Sequence, residues 1–469
     1  MNRRDFLKAL GGGSLAASAV AVGCHHPNEV SAEGFSLGEV PTDKMSYRKN
    51  LLGDEVSLLG FGCMRLPTLA GGSGREEDET LDQELINEMF DYAIAHGVNL
   101  FDTAPPYCKG RSEEAVGIAL SRHSRNEYFI STKLSNFDPS TWSREDSLNI
   151  YYNSLKRLKV DYLDYLMLHG IGMPAKDLDG SQLDGMTAFR RRYIDNGILD
   201  FLLEEREAGR IRNLGFSYHG DVEVFDYLLS MDNVYHWNHV LIQHNYINWQ
   251  HAKDVSARDT NSEYLYAELE KRNIPVFVME PLLGGRLAQL PDFAVDEFKR
   301  REPQQSVASW AFRFAANQPR ILTVLSGMTY LEHLQDNIRT YSPHKPLSDD
   351  ELVLLNNIAD TYTRYSFIPC TGCKYCMPCP FGIDIPSSFS HYNKCINEGS
   401  MVSESMDDNA YRKARRAFLV GYDRVADPLR QADHCIACGQ CVVKCPQGIQ
   451  IPDAMQKIEQ YMNELKSHI

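Results

Sequence analysis

Gly97-Val98-Asn99-Leu100-Phe101-Asp102-Thr103-Ala104-Pro105-Pro106-Tyr107 is the stretch on which the fold turns. A short apolar run ends on an acidic residue, and a proline-rich loop follows it. Such a run, bounded by turn residues, reads as a buried strand. The same pattern recurs along the chain. Candidate strands are Leu58–Gly62, Val98–Asp102, Tyr128–Lys133, Tyr162–His169, Ile211–Ser217, Val240–Asn245, Val276–Glu280 and Leu322–Ser326. Most intervals hold amphipathic stretches, for example Leu85–His96 and Arg144–Leu158. Eight strands alternating with helices over residues 46–340 predict an α/β fold, a (β/α)8 TIM barrel. An open doubly wound sheet is the weaker alternative, because no Gly-x-Gly-x-x-Gly follows the first strand and opens a helix.

Polar residues close three of these strands: Asp102, Lys133 and His169. The C-terminal strand ends of such a barrel form its catalytic mouth, so the three converge in space. Tyr107 lies five residues beyond Asp102, in the loop above it. A carbonyl that accepts hydride needs a proton at the nascent alkoxide. A phenol can supply it, although an ordinary phenol releases its proton only near pH 10 or so. A neighbouring lysine stabilises the phenolate, and an aspartate orients that lysine. A histidine can donate to the carbonyl oxygen and polarise it.

On these residues the chain resembles the aldo-keto reductases. Phe101 to Tyr107 is similar to that family's Asp/Tyr motif, and Arg111-Ser112-Glu113-Glu114 with Gly117 to its continuation. Ser131-Thr132-Lys133 resembles the Lys motif, and Asp161-Tyr162 through Leu168-His169 the His motif. The resemblance covers residues 50–340 and implies a catalytic tetrad of Asp102, Tyr107, Lys133 and His169. It also implies a nicotinamide cofactor, NAD or NADP. Ser217 and Gln243 resemble the carboxamide-binding residues, but Tyr218 stands where the family commonly has Asn, and Met279 where an aromatic usually stacks. Leu283-Gly284-Gly285-Arg286 can wrap the pyrophosphate, because glycine permits close backbone approach. Ser326, Gly327 and Asn337 resemble the adenosine-phosphate segment. Gly327 and His333 stand where NADPH-preferring members carry basic residues, the natural partners of a phosphate.

The cysteines are unevenly spread. Cys24, Cys63, Cys108 and Cys395 are scattered, and the other eight of the 12 fall in two runs. The first is Cys370-x2-Cys373-x2-Cys376-x2-Cys379-Pro380; the second is Cys435-x2-Cys438-x2-Cys441-x3-Cys445-Pro446. The second is the bacterial ferredoxin run, and the first is one residue short. Zinc is the alternative for Cys-x2-Cys pairs. Two runs of four, each ending in Cys-Pro, favour two [4Fe-4S] clusters in a small, mainly α-helical, dicluster ferredoxin-like domain over residues 365–469. In two-cluster ferredoxins the fourth Cys of each run serves the other cluster. This predicts Cys370, Cys373 and Cys376 with Cys445, and Cys435, Cys438 and Cys441 with Cys379. A connecting helix leading out of the barrel is expected over Leu347–Tyr365, the domain map giving it residues 341–364, and helical structure is expected over Ile385–Asp433. Cys395 is expected as a packed helix thiol, and Cys63 and Cys108 near the barrel mouth with no redox role.

Residues 1–24 read as targeting sequence rather than fold. Arg3-Arg4 before a short apolar stretch resembles a twin-arginine signal peptide, and Ala21-Val22-Gly23-Cys24 a lipoprotein cleavage box. The expectation is export to the periplasm or cell envelope, with lipid on Cys24 anchoring the protein to a membrane surface and residues 25–45 as a flexible tether. The balance of 48 Lys+Arg against 63 Asp+Glu gives a net charge of −15, which argues against nucleic acid as a partner. The loops around Pro67–Thr80, Gly170–Asn196 and Asn248–Asn261 carry no readable substrate code, and Arg190-Arg191-Arg192 reads as a solvated face. The expected function is an exported oxidoreductase that interconverts a small-molecule carbonyl and an alcohol by nicotinamide hydride transfer. The clusters relay electrons to or from a redox partner protein or a quinone-linked donor. Two alternatives stand beside it: an electron-transfer protein whose barrel no longer uses nicotinamide, and a non-enzymatic binding lipoprotein. Export removes the protein from replenished nicotinamide, so a tightly held cofactor is implied. A hydride carries two electrons and a cluster passes one, and the sequence shows no flavin signature to split the pair.

Overall fold

Alternating buried runs and amphipathic stretches close into the expected barrel. The structure is a computed structural model that describes residues 39–74, 79–403 and 405–467. The fold described below is that of the unit spanning residues 40–469. The expected signal peptide and Cys24 lie outside the described residues. The expected tether ends before residue 45, because Met45 is buried in the barrel's core. Among the described residues no helix is long and apolar enough to cross a membrane.

The barrel strands are β1 (Leu59–Gly62), β2 (Leu100–Asp102), β3 (Phe129–Leu134), β4 (Leu163–Ile171), β5 (Ile211–Tyr218), β6 (His239–Gln243), β7 (Val276–Met279) and β8 (Ile321–Gly327). All neighbours pair in parallel, and β8 pairs with β1 to close the ring. Each strand starts and ends within three residues of its sequence-based bounds. All nine residues of β4 are buried, as a parallel strand covered on both faces requires. The register aligns Gly62 with Asp102, and Asp102 with Ser131. The polar strand ends therefore share one rim.

Helices α1 (Gln83–Ala95), α2 (Ser112–Leu120), α3 (Arg144–Leu158), α4 (Ile198–Glu207), α5 (Val222–Ser230), α6 (Ser262–Lys271), α7 (Val307–Ala315) and α8 (Leu331–Tyr341) surround the strands. In α1 the Asp82 carboxylate accepts from Leu85 N, and Leu85, Ile86, Met89, Phe90 and Ala93 form the buried stripe. Helix α3 begins at Ser143, whose side chain accepts from Asp146 N, and stops at Lys159 in a left-handed conformation.

Tyr165, Met167, Leu241, Phe277, Leu322 and Leu325 fill the barrel interior together with Val56. Val56 belongs to a hairpin, Tyr47–Lys49 paired with Glu55–Ser57, that the sequence reading did not foresee. This hairpin seals the end opposite the catalytic rim. Arg48 donates to the carbonyls of Ala316 (2.7 Å), Gln318 (2.6 Å) and Ile321. Asn50 Nδ2 donates to the Tyr165 hydroxyl at 2.8 Å.

The connecting helix is α9 (Asp349–Tyr362), opened by a Ser348/Glu351 capping box. It does not lead away from the barrel. Leu354, Leu355, Ile358 and Tyr362 pack on Tyr246, Ile247, Leu283 and Leu287, which follow β6 and β7. Beyond it, α10 (Ile385–Asn397), α11 (Asp408–Val425) and α12 (Ile451–Ser467) enclose a second core of Phe389, Tyr392, Phe418, Tyr422, Met455 and Ile458. Cys395 is buried on α10 as expected.

Gly117 of α2 lies against α3 so closely that a Cβ there would stand 2.3 Å from the Arg157 carbonyl oxygen. Gly117→Ala is expected to destabilise the barrel by about 1–3 kcal/mol, since a packed backbone must move apart. Urea unfolding followed by tryptophan fluorescence measures the loss.

Candidate active site

The ends of β2 and β3 bring an aspartate and a lysine together in a place almost without water. Lys133 is 1% exposed and Asp102 3%. Lys133 Nζ donates to Asp102 Oδ1 (2.8 Å), Asp102 Oδ2 (2.7 Å) and the Thr103 carbonyl (2.8 Å). Ser131 Oγ donates to the same Asp102 Oδ1 at 2.8 Å. All three ammonium hydrogens and both carboxylate oxygens thus have partners, which a buried ion pair needs. Lys133 Nζ stands 5.0 Å from the centre of the Tyr107 ring. The Tyr107 and His169 rings meet edge to face with centroids 6.2 Å apart. The four residues expected to form a tetrad therefore do come together.

His169 is fixed from several sides. Its Nδ1 lies 2.6 Å from Ser135 Oγ, and its backbone N donates to the Tyr193 hydroxyl at 3.0 Å. Arg192 Nη2 donates to the His169 carbonyl at 2.6 Å. Burial holds the His169 ring's affinity for protons well below that of ordinary imidazole, and the charges of Lys133 and Arg192 push it further down. His169 is thus a neutral hydrogen-bonding group at physiological pH.

The expectation that Arg190-Arg191-Arg192 is a solvated face fails at Arg192, which is 3% exposed. A π-helical turn over Arg190–Ile194 points it inward beneath His169, stacked 5.0 Å from the centre of the Phe137 ring. Single π turns of this kind are frequent at functional sites. Sequence offered no signal, because three consecutive arginines look alike.

A cavity of about 590 Å³ opens at this rim. Asp102, Tyr107, Lys133, His169 and Phe137 line it, and so do Ser217, Gly284, Gly285, Ser326, Gly327 and Asn337. Ser217 Oγ accepts from Gly170 N at 2.8 Å, and Asn337 Nδ2 donates to Ser326 Oγ at 2.9 Å. Gln243 lies buried beside His219, a cavity residue that the sequence reading missed. Gln243 Nε2 and His219 Nδ1 are buried without a hydrogen-bond partner. A polar ligand would complete them, so the site fits a carboxamide-bearing cofactor.

The glycine pair departs from expectation. A Cβ on Gly284 would stand 2.4 Å from the Thr371 carbonyl oxygen, whereas one on Gly285 would meet open space. Gly284 thus makes room for the first cysteine run, and Gly285 alone keeps its face free for a phosphate. Arg65 and Tyr375 also line the cavity and were not foreseen, and Cys373, expected as a cluster ligand, stands in the same wall. Arg65 lies three residues past the end of β1, where a barrel places its mouth, and this was the one available signal for it. Its Nη2 donates to the Thr371 carbonyl at 2.9 Å.

The eight clustered cysteines gather as two quartets. Cys370, Cys373, Cys376 and Cys445 line one small cavity. Cys441 has Cys435, Cys438 and Cys379 as its thiol neighbours. This is the grouping that crossed ligation expects. Burial pushes the Cys370 thiol up to about 12 and the Cys441 thiol to about 11. Thiols so placed lose their protons only to a strongly bound cation, which iron supplies. The quartets therefore fit clusters. Among the described residues no three Cys, His, Asp or Glu side chains are grouped to hold a single metal ion.

A model of the Aldo/keto reductase family matches residues 58–360, and one of the 4Fe-4S dicluster domain matches residues 369–450. The protein tas of Escherichia coli K12 is 29% identical over 349 residues, 66% of this chain and 96% of that protein. An NADH-specific methylglyoxal reductase of the same organism is 24% identical over 340 residues, covering 64% and 95%. Among solved structures, an aldo-keto reductase from Klebsiella pneumoniae in complex with NADPH superposes with a TM-score of 0.51 at 20% identity. It covers 67% of this chain and 95% of its own. The fold is thus shared at low sequence identity.

The neutral state of His169 has a consequence for stability. Unfolded, its imidazole binds a proton near pH 6.5 or so; folded, it does not until far lower. The unfolded state therefore gains protons first, and stability falls as pH drops below that value. His219 (about 4), His239 (about 3) and His244 (about 3) act in the same direction, all through burial. Buried Asp259, raised to about 7, opposes them. Replacing His169 with Gln is expected to flatten the dependence of unfolding free energy on pH between pH 6 and 5 by about 1.4 kcal/mol per unit, read from urea melts.

Proposed function

The chain belongs to the aldo/keto reductase family and carries a 4Fe-4S dicluster domain behind its barrel, and from there we propose that it interconverts a small-molecule carbonyl and an alcohol while exchanging electrons through two [4Fe-4S] clusters. One observation carries this reading: Tyr107, Lys133 and His169 line the same cavity as Cys373. Ser217, Gln243, Gly285, Ser326, Gly327 and Asn337 would hold a nicotinamide there. When bound, that group supplies the hydride; the clusters supply single electrons.

The protein's own residues manage the proton. Tyr107 donates it to the alkoxide oxygen in reduction and takes it back in oxidation. Lys133 faces the ring with a charge that favours the phenolate left behind. Asp102 keeps that lysine aimed through both carboxylate oxygens. Ser135 Oγ lies against His169 Nδ1, and the tautomer that carries its hydrogen on Nε2 donates that hydrogen to the carbonyl oxygen. Phe137 and the strand ends keep the reacting atoms from water. Crossed ligation, with Cys445 on the quartet of Cys370, Cys373 and Cys376, gives the cavity a cluster ligand in its own wall.

A second reading, a barrel that holds some other redox ligand, is favoured by Met279 in place of a stacking aromatic and by Thr371 lying against Gly284. Anaerobic purification of residues 25–469 separates the two. Iron and sulfide for two clusters with bound or tightly binding nicotinamide support the first; full iron without nicotinamide affinity favours the second. Tyr107→Phe is expected to lower kcat for a small carbonyl by about 10²–10⁴-fold while leaving nicotinamide affinity unchanged. An equal loss of binding and turnover would deny Tyr107 its proton-transfer role.

Export by a twin-arginine route to the periplasm or cell envelope, with lipid on Cys24, is the reading supported by Arg3-Arg4 and Ala21-Val22-Gly23-Cys24. Replacing both arginines with lysine is expected to leave the protein in the cytoplasm, and Cys24→Ser to release it from membranes, as fractionation would record.

A further inference from the structure

The two quartets meet very different surroundings. Loops of the barrel close on the inner one, Cys370, Cys373, Cys376 and Cys445. Arg258 Nη1 donates to the Cys445 carbonyl at 3.4 Å, and Ser256 Oγ to the Gln447 carbonyl at 2.6 Å. Arg65 Nη2 reaches the Thr371 carbonyl at 2.9 Å. Arg286 stacks 5.5 Å from the centre of the Tyr362 ring and 5.4 Å from that of Phe367. Arg286 lies two residues beyond Gly284, whose backbone is packed against that of Thr371, the neighbour of Cys370. Its Nε and Nη1 are buried with no hydrogen-bond partner. Neither Arg258 nor Arg286 has a carboxylate partner among the described residues. The inner quartet thus sits among three guanidinium groups supplied by the barrel.

The outer quartet, Cys379, Cys435, Cys438 and Cys441, lies toward solvent, with Cys438 exposed. The charged residues flanking it in sequence are Asp427, Arg430, Asp433, His434 and Lys444, all exposed and of mixed sign. Water and salt screen such groups.

We propose that the barrel's arginines poise the inner cluster at a higher reduction potential than the outer one, so that electrons run inward from Cys438 toward the cavity. This rests on the dicluster reading above. Reduction adds one negative charge to a cluster that four thiolates already make anionic. Nearby cations and N–H donors to sulfur stabilise that added charge and raise the potential, while burial lowers it. At the inner cluster both effects act, but the cations act through a medium that screens them little. At the outer cluster neither effect is strong. Each transfer moves one electron: an external one-electron donor is oxidised as the outer cluster is reduced, and the outer cluster is reoxidised as the inner one is reduced. No bond forms or breaks. The ordering favours reduction in the barrel over oxidation.

The test is an anaerobic redox titration of the full chain, followed by electron paramagnetic resonance. Two midpoints are expected. Cys438→Ser should alter the lower one and leave the higher unchanged, which assigns the higher to the inner cluster. Arg286→Met and Arg258→Met should each shift the higher midpoint downward without moving the lower, and Arg286→Lys should restore most of the shift. Two readouts on separate arginines guard against one variant failing to assemble. The proposal is overturned if Cys438→Ser alters the higher midpoint, or if neither arginine variant moves it. A chain that assembles no clusters overturns the dicluster reading itself, whereas two clusters in the reverse order overturn only the direction proposed here.

Discussion

The buried pair of Lys133 and Asp102 is the constraint from which the site follows. An ion pair taken so far out of water is favourable only when every hydrogen and lone pair is met. Thr103 O and Ser131 Oγ meet the remainder. That satisfaction requires β2 and β3 in this register and no other. A slip of one residue would turn Lys133 out of the barrel and leave Asp102 as an uncompensated buried charge. The pair thus ties catalysis to barrel geometry. It fixes where Tyr107 must lie to face the ammonium, and it adds to the positive field that keeps His169 neutral.

That field is also why Arg192 matters. A cation is held beneath His169 among neutral acceptors: the His169 and Gly170 carbonyls, the Tyr193 hydroxyl and Asn136 Oδ1. Its charge stabilises nothing that the sequence would flag. It works by making a second positive charge on His169 unfavourable. The neighbouring π turn is the local distortion that lets the helix present it.

Much of this was legible beforehand. The eight strands were readable because a parallel, doubly covered strand must be apolar throughout, and the tetrad because each member closes a strand or follows one. The cysteine runs were readable from spacing, and the grouping of Cys445 with the first run from the chemistry of two-cluster domains. What escaped the sequence has common physical causes. The sealing hairpin has three-residue strands, too short for any period to show. Arg192 differs from its two neighbours only in the direction a helical turn gives it. His219, Tyr375 and Arg65 reach the cavity through tertiary placement of loops. Gly284 carried a true signal for close backbone approach, but the partner proved to be Thr371 rather than a phosphate.

That contact bears on how such a chain can be taken apart. At residue 284 the barrel meets the cysteine-rich region backbone to backbone, with no room for even a methyl group. Ordinary two-domain enzymes meet through side chains, which tolerate substitution and allow modules to be exchanged. Here the seam is written into the main chain of both partners. A barrel borrowed from a relative without the appended region would need a glycine at this one position before it could accept the graft. Conversely, this barrel cut free of the residues that follow Tyr341 would expose Leu283, Leu287 and the loop they anchor. The barrel and the cysteine-rich region are one interlocking piece.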